Sequence, residues 1–297
     1  MDHDPGSEGQ LSVFGGVSII LPARNESASL QLLLPELRRQ APGAELIVVD
    51  DGSTDDTAAL CRANGVTCVS HAYGMGNGAA VKTGARAAKG EILVFMDADG
   101  QHKPEDIPRL LEKLAQGHDM AVGARSLASQ AGMHRAVANS FYNRLASWVT
   151  NQKIDDLTSG FRAVNAAKFR QFLYLLPNGF SYPTTITMSF FRAGYGVAYV
   201  PIEAPKRIGT SHVRIARDGI RFLLIIFKIC TLYSPLKLFF PISMAFLALG
   251  LGYSGYTLLA LHRFTNMGAL LVITAMLVFL IGLISEQITL LIYKDGR

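Results

Sequence analysis

Cysteine is scarce in this chain. The three present, Cys61, Cys68 and Cys230, form no CxxC pair, which excludes a disulfide scaffold and a cysteine-rich metal ribbon and leaves each to serve as a small apolar residue in a reducing compartment. Charge is also thin. Only 17% of the 297 residues are Asp, Glu, Lys or Arg, and the mean hydropathy is +0.26, too apolar for an ordinary soluble enzyme. Zinc-finger spacing, an RNP-like stretch and a long basic tail are all missing, so the net charge of +5 does not point to nucleic acid. Residues Met1–Gln10 hold no basic segment leading into an apolar one. Nothing in them directs export, and the first domain is expected to stay in the cytosol.

What the chain does have is an uneven distribution. Up to about Val213 charged and apolar residues are mixed, whereas Phe222 to Tyr293 is dominated by Leu, Ile, Phe, Met and Ala. Phe239 to Leu261 is an uncharged run of 23 residues, about 34 Å as a helix and enough to cross a hydrocarbon core of roughly 30 Å. Pro241 is expected in its first turn, where proline is tolerated. After a break at His262 to Asn266, Met267 to Ser285 supplies a second uncharged run, about 29 Å long on the same arithmetic. Glu286 follows it as an interfacial residue at the membrane exit.

Basic residues crowd the approach to this region: Lys206, Arg207, Arg214, Arg217, Arg221, Lys228 and Lys237. Such a cluster suits anionic lipid headgroups. Together with Lys294 and Arg297 these residues outnumber the lone Arg263 between the two runs, which orients the large domain and both ends toward the cytoplasm. Arg214, Arg217, Arg221 and Lys228 fall within about 60° of one another at helical spacing, so residues 214–235 are expected to form an amphipathic helix lying in the interface. The division expected is a tail over 1–15, a cytoplasmic domain over 16–213, the interfacial helix, and a two-helix hairpin over 236–297 in the inner membrane.

The cytoplasmic part alternates strand-like and helix-like stretches. Apolar runs at Val17 to Leu21, Glu45 to Val49 and Glu91 to Met96 have strand length. Ser27 is positioned to cap a helix running toward Arg39, and Ser53 or Thr54 one that begins at Asp55 and ends before Gly65. A third helix is expected between Gly78 and Gly90, and a fourth from Pro104 to Gln116. This alternation predicts an α/β fold with a mainly parallel sheet covered on both faces, in which ligands bind beyond the carboxyl ends of the strands.

At those ends stand Pro22-Ala23-Arg24-Asn25-Glu26, Asp50-Asp51-Gly52-Ser53 and Asp97-Ala98-Asp99-Gly100. Carboxylates from separate strands therefore converge on one edge. Asp97 and Asp99 flank one small residue at the end of an apolar strand. Hard cations such as Mg²⁺ or Mn²⁺ take oxygen ligands from one or two carboxylates plus substrate phosphates, so this pair specifies a metal and diphosphate site. Gly74, Gly76, Gly78 and Gly84 permit close backbone approach, either to a phosphate or to a neighbouring segment of the fold. The stretch lacks the GK[ST] ending of a P-loop.

The motifs LPARNE (Leu21 to Glu26), VVDDGSTDDT (Val48 to Thr57), GNGAAVKTG (Gly76 to Gly84), FMDADGQH (Phe95 to His102), VGAR (Val122 to Arg125), DLTSGFRAV (Asp156 to Val164) and VPIEAPKRIGTS (Val200 to Ser211), followed by two apolar runs, resemble glycosyltransferase family 2. The resemblance is to the branch of dolichol-phosphate mannose synthases and bacterial polyprenyl-phosphate glycosyltransferases. It covers nearly the whole chain and implies a GT-A-type, Rossmann-like fold. It also implies that Pro22, Arg24, Glu26 and Asp51 line the nucleotide-sugar pocket, with Asp51 near the base. Asp97 and Asp99 would hold Mg²⁺ or Mn²⁺ and diphosphate, with Gln101 joining the metal ligands. Arg125 and Arg207 would meet phosphates. Ser159, Arg162 and Asp156 would sit at the acceptor phosphate. Guanidinium groups suit phosphate oxygens, although each arginine could instead serve as a surface ion-pair former. His212 stands where the family pattern often has a lysine.

What the resemblance implies is inverting transfer of a hexose from a UDP- or GDP-sugar to a polyprenyl or dolichyl phosphate, with the bilayer as partner and a homo-oligomer left open. A phosphate nucleophile is already anionic, so Asp156 positions the acceptor rather than abstracting a proton. Three competing readings remain. An uncharged glycerolipid or sphingolipid acceptor would require a true base. A processive polysaccharide synthase shares the domain type, but the sole tryptophan is Trp148 and the QxxRW signature of those enzymes is missing. The third is a non-catalytic membrane tether that binds nucleotide sugars.

Overall fold

The computed structural model describes residues 14, 16–125, 133–179, 181–203, 227, 230, 231 and 233–292. Lys206, Arg207, His212, Arg214, Arg217, Arg221 and Lys228 lie outside them, as does most of the expected interfacial helix. The chain divides into two compact units, one drawn from Met1–Arg144 and Gln152–His212, the other from Leu145–Asn151 and Val213–Arg297.

In the first unit the order is β1 (Val17–Ala23), α1 (Ser27–Gln40), β2 (Glu45–Asp50), α2 (Thr57–Ala63), β3 (Thr67–Ser70), α3 (Asn77–Ala87) and β4 (Ile92–Phe95), then a 3₁₀ turn at Pro104–Asp106 leading into α4 (Ile107–Ala115). It continues with β5 (Met120–Arg125), α5 (Met133–Thr150), whose residues from Leu145 on belong to the second unit, β6 (Arg162–Asn165), α6 (Ala166–Arg170), α7 (Tyr182–Arg192) and β7 (Val197–Ile202). The seven strands form one sheet in the order β3-β2-β1-β4-β6-β5-β7. All neighbours are parallel except β6, which runs antiparallel to both β4 and β5. The strands read from their apolar runs are the central ones, and their side chains are buried on both faces, as parallel sheets require.

The helix starts differ from expectation, and a single carboxylate explains two of them. Ser27 is the first residue of α1, and its N–H donates to Asp55 Oδ2 at 3.1 Å. Asp55 Oδ1 accepts from the N–H of Thr57 at 3.0 Å, where α2 begins. Neither Ser27, Ser53 nor Thr54 supplies a side-chain cap. Asp55 thus satisfies unpaired donors in the first turns of two helices at once, and its carboxyl sits at about 2. Burial opposes that shift, but hydrogen bonds from Thr57 and Ser27 outweigh it. The third helix also begins earlier than expected, at Asn77, and ends at Ala87.

In the second unit two helices, α8 (Pro235–Leu261) and α9 (Asn266–Ile292), are each long and apolar enough to cross a membrane. Little of either is buried within the protein, and large side chains such as Leu249, Leu259, Met276 and Leu291 face outward, as lipid-facing residues would. The helices approach through small residues. A Cβ added at Gly268 would lie 2.2 Å from Ser254 Oγ, and one at Gly282 would lie 2.7 Å from Phe239 Cβ. Both helices extend beyond the uncharged runs, and Pro241 lies inside α8 rather than in its first turn. Glu286 accounts for the earlier start. It reaches from α9 to accept from Ser234 Oγ at 3.0 Å and from the N–H of Leu236 at 3.2 Å, placing a carboxylate on the first turn of α8. The C-terminal end of α5 is bound to the same region, for Lys237 Nζ donates to Val149 O at 2.8 Å and Tyr233 OH to Thr150 O at 3.3 Å.

Candidate active site

Because β1, β2 and β4 are parallel neighbours, the segments that follow them emerge on one edge of the sheet. There they line a cleft of about 410 Å³ that includes Pro22, Arg24, Glu26, Asp51, Asp97 and Asp99, with Gly76 and the start of α3 as the opposite wall. All six side chains were singled out from the sequence, and the fold brings them together. The first two segments are stitched to each other. Asn25 takes a left-handed conformation, φ 57°, its N–H donates to Ser53 Oγ at 2.9 Å, and its Oδ1 accepts from the N–H of Thr54 at 2.8 Å.

Asp51 is almost enclosed. Its Oδ1 accepts from the N–H of Met75 and meets His71 Nδ1, both at 2.8 Å, and its Oδ2 accepts from the N–H of Gly76 at 2.8 Å. Burial disfavours its charge, yet these donors prevail and hold the carboxyl below its usual value. His71 Nε2 lies 2.9 Å from Thr83 Oγ1 on α3. Gly52, at φ +68°, lets the loop over 73–74 close in, since a Cβ there would stand 2.7 Å from Gly74 N.

Asp97 and Asp99 follow β4. The N–H of Gln101 donates to Asp99 Oδ1 at 3.1 Å, so Gln101 belongs to the same turn. The N–H of Asp97 points to His102 Nδ1 at 3.4 Å, and the His102 ring stacks on Phe161 with centroids 5.0 Å apart. Burial pushes the imidazole down to about 4, Asp99 opposing and Arg125 adding to the shift, so the ring is neutral and accepts at Nδ1. Gly160 comes close behind Asp97, where an added Cβ would lie 3.2 Å from Oδ2.

Arg125, at the end of β5, donates through Nε to Asp156 Oδ2 at 2.8 Å and through Nη2 to Asp156 Oδ1 at 3.1 Å and Thr158 Oγ1 at 2.8 Å. Its side chain remains 26% accessible, while that of Asp156 is 1% accessible. The backbone N–H groups of Thr158 and Ser159 also donate to Asp156 Oδ1, at 2.9 and 3.1 Å. Burial raises the pKa of Asp156, but its bonds with Arg125 overcome that and leave it lowered. Asn143 on α5 clamps the same loop, donating to Asp155 O at 2.6 Å and accepting from the N–H of Leu157 at 3.0 Å.

Three residues expected at the acceptor phosphate are enclosed by the protein's own chain. Arg162 is fully buried, and its guanidinium donates to Ser159 O, to Pro183 O at 3.3 Å and to Thr187 Oγ1 at 3.2 Å. It lies in register between Phe95 of β4 and Val122 of β5, inside the sheet layer. Ser159 is likewise at zero exposure. Asp156 is enclosed, and its oxygens accept from Arg125, Thr158 and Ser159. Arg207 lies outside the described residues.

Within the glycine-rich stretch, Gly76 lines the cleft, whereas Gly78 and Gly84 permit close packing. A Cβ at Gly78 would fall 2.0 Å from Pro177 O, and one at Gly84 would fall 2.3 Å from Ile20 Cγ2. The N–H groups of Gly78 and Ala79 donate to Gly179 O and Asn178 O. These amides of the first turn of α3 are thereby engaged by the protein's own chain.

The family model for glycosyl transferase family 2 matches residues 18–173, which carry every element of this cleft. The chain belongs to glycosyl transferase family 2. A second model, the GtrB C-terminal hairpin, matches residues 234–291, the span of α8 and α9. Polyprenol monophosphomannose synthase of Mycolicibacterium smegmatis is 28% identical over 204 residues, covering 64% of this chain and 77% of that protein. An undecaprenyl-phosphate 4-deoxy-4-formamido-L-arabinose transferase of Aeromonas hydrophila is 33% identical over 157 residues, 50% of this chain and 48% of that protein, so the chain spans about half its length. Glucosyl-3-phosphoglycerate synthase of Mycobacterium tuberculosis, solved with Mn²⁺, UDP-glucose and phosphoglyceric acid, aligns with a TM-score of 0.60 at 21% identity over 77% of this chain and 86% of that one. That likeness shows the GT-A fold of the family.

Four residues of this family 2 site were not singled out from sequence: His71, His102, Thr158 and Asn143. His102 stood within a recognised motif, and Thr158 between Asp156 and Ser159. His71 and Asn143 carry no local signal, because their partners are 20 and 12 residues away.

Proposed function

We propose that this chain transfers a hexose from a UDP- or GDP-sugar to a polyprenyl or dolichyl phosphate at the cytoplasmic face of the cell membrane, with inversion, for cell-envelope glycan or glycolipid synthesis. The observation that carries this reading is the convergence of Asp97 and Asp99 with Arg24, Glu26 and Asp51 in one cleft. The hairpin match and the polyprenol and undecaprenyl-phosphate acceptors named for relatives support a lipid phosphate as acceptor. In this reading residues 16–213 form the catalytic domain, 1–15 a tail, 214–235 an interfacial segment, and 236–297 the hairpin, with both ends cytoplasmic.

The residues fit a divalent cation. Asp97 and Asp99 are hard oxygen donors on one turn, and Gly160 leaves free the space that a Cβ would fill against Asp97. Gln101 in the same turn adds a carbonyl oxygen. Among the described residues no three His, Cys, Asp or Glu side chains gather as a cage, which suits a cation that takes its other ligands from phosphate. Bound there, Mg²⁺ or Mn²⁺ would neutralise charge on the departing nucleoside diphosphate. The Mn²⁺ of the structural neighbour lends support to that choice.

The chain's own groups have distinct tasks. Pro22, Arg24, Glu26 and Asp51 bind and orient the nucleotide sugar. Arg125, fixed by Asp156, presents a guanidinium to phosphate oxygens without reorganising during the reaction. The lipid phosphate is anionic at neutral pH and attacks the anomeric carbon directly, so no general base is required. The full engagement of Asp156 agrees with that economy.

The test uses membranes carrying the wild type or Asp99→Ala, given polyprenyl phosphate, Mg²⁺ or Mn²⁺ and a panel of UDP- and GDP-sugars, with lipid products read by mass spectrometry. A metal-dependent polyprenyl-phosphate sugar of inverted configuration, made by the wild type and not by the variant, is expected. Failure with every donor, in protein that is folded, would sink the reading.

A further inference from the structure

The proposed reading leaves the base of the donor open, and the surroundings of Asp51 bear on it. A carboxylate offers about four acceptor positions over two oxygens. Asp51 has already filled three, with Met75 N–H and His71 Nδ1 on Oδ1 and Gly76 N–H on Oδ2. An ionised carboxylate only accepts, so the Nδ1–H of His71 donates to Asp51, while Nε2 is held 2.9 Å from Thr83 Oγ1. His71 is therefore a donor anchored at both ends, between β3 and α3. The single acceptor position that remains belongs to Oδ2.

Uracil presents one N–H on its pairing edge. Guanine presents an N–H and an adjacent amino group, which a carboxylate receives through both oxygens. Only a carboxylate with an open position on each oxygen can take the guanine edge, and Oδ1 of Asp51 has none left. We infer that His71 is a positioning residue of the donor site, and that by occupying Oδ1 of Asp51 it makes the cleft selective for uridine over guanosine diphosphate sugars. The inference rests on the proposed function, with Asp51 meeting the base. It adds to it both the base and the residue that selects it.

The experiment measures UDP and GDP binding by calorimetry to the full chain in detergent with Mn²⁺, together with donor KM and kcat, for the wild type, His71→Asn and His71→Phe. An unmet donor in a closed site costs enough to set the two nucleotides at least about tenfold apart. The wild type is therefore expected to prefer UDP by at least that factor. His71→Asn, whose amide can still donate to Asp51, keeps most of the preference. His71→Phe, which cannot, raises the KM for the UDP-sugar, narrows the gap between the nucleotides and leaves kcat at saturating donor within a few-fold of wild type. Equal or tighter binding of GDP by the wild type overturns the inference, as does an unchanged preference in a folded His71→Phe protein. Turnover with a GDP-sugar alone would overturn this inference and leave the transferase reading intact, whereas turnover with no nucleotide sugar would remove both.

Discussion

Arg125 and Asp156 meet side by side, with Nε 2.8 Å from Oδ2 and Nη2 3.1 Å from Oδ1. The pair ties β5 to the loop before β6, and it leaves the Nη1 edge of the guanidinium outside the bonds made to Asp156 and Thr158. A buried carboxylate that accepts from the side chain and N–H of one arginine, from the Thr158 hydroxyl and from the N–H groups of Thr158 and Ser159 holds that arginine in one orientation.

Asp156→Ala should therefore cost stability and turnover together. Removing one partner of a buried ion pair destabilises by about 3–5 kcal/mol, and loss of a preorganised donor lowers kcat on the order of a hundredfold. The double variant Arg125→Met/Asp156→Leu is expected to recover much of the melting temperature and none of the activity. Recovery of activity in that variant would contradict a role for Arg125 at the phosphates.

The same pair sets an acid limit. The pKa of Asp156 is lower in the folded chain than in the unfolded one, so its contribution is complete above the ordinary carboxylate value of about 3.9 and is lost as pH falls through the lower folded value. Melting temperatures of the wild type and Asp156→Asn should keep a constant difference from pH 5 to 8, and the difference should shrink below about pH 4. A difference that varies between pH 6 and 8 would assign the effect to another group.

Gly78→Ala tests the packing assignment of the glycine-rich stretch. Its Cβ would meet Pro177 O at 2.0 Å, a backbone clash that cannot be relieved by a rotamer. Overpacking of this kind costs about 1–3 kcal/mol. Thermal melts should register that loss, while the folded fraction keeps its donor KM. A donor KM raised tenfold with unchanged melting would return these amides to phosphate binding.

The uneven legibility of the chain has physical causes. The central strands and the six cleft residues were readable because a parallel sheet buries both faces of its strands and brings their carboxyl ends to one edge, so motif position alone predicts convergence. Helix starts were not readable, because Asp55 serves Ser27 from 28 residues away, and local spacing looks for caps nearby. The extended α8 escaped notice for the same reason, its first turn being held by Glu286, about 50 residues on. The enclosure of Arg162 was not readable because it depends on β6 lying between β4 and β5, strands distant in sequence.

Glu286→Ala should behave as the loss of a helix cap. About 1 kcal/mol of stability is expected to go, visible as a lower melting temperature in detergent, with transferase activity retained within a few-fold. Abolished turnover in a well-folded Glu286→Ala protein would instead mark the carboxylate as part of an acceptor path.

Arg162 and Arg125 can be separated by one comparison. Replacing Arg162 by Met strips hydrogen bonds from Ser159 O, Pro183 O and Thr187 Oγ1 in the interior; the last two keep their bond to each other at 2.8 Å, and an unmet buried acceptor at Ser159 O costs about 1–3 kcal/mol. The variant should melt far below the wild type, yet its folded fraction at low temperature should show nearly unchanged KM for the polyprenyl phosphate. The side chain of Arg125 reaches the surface, so Arg125→Met should lose turnover out of proportion to its loss of stability. If the two variants raise acceptor KM equally when compared at equal folded fraction, Arg162 reaches the acceptor after all, through a rearrangement of the β6 layer.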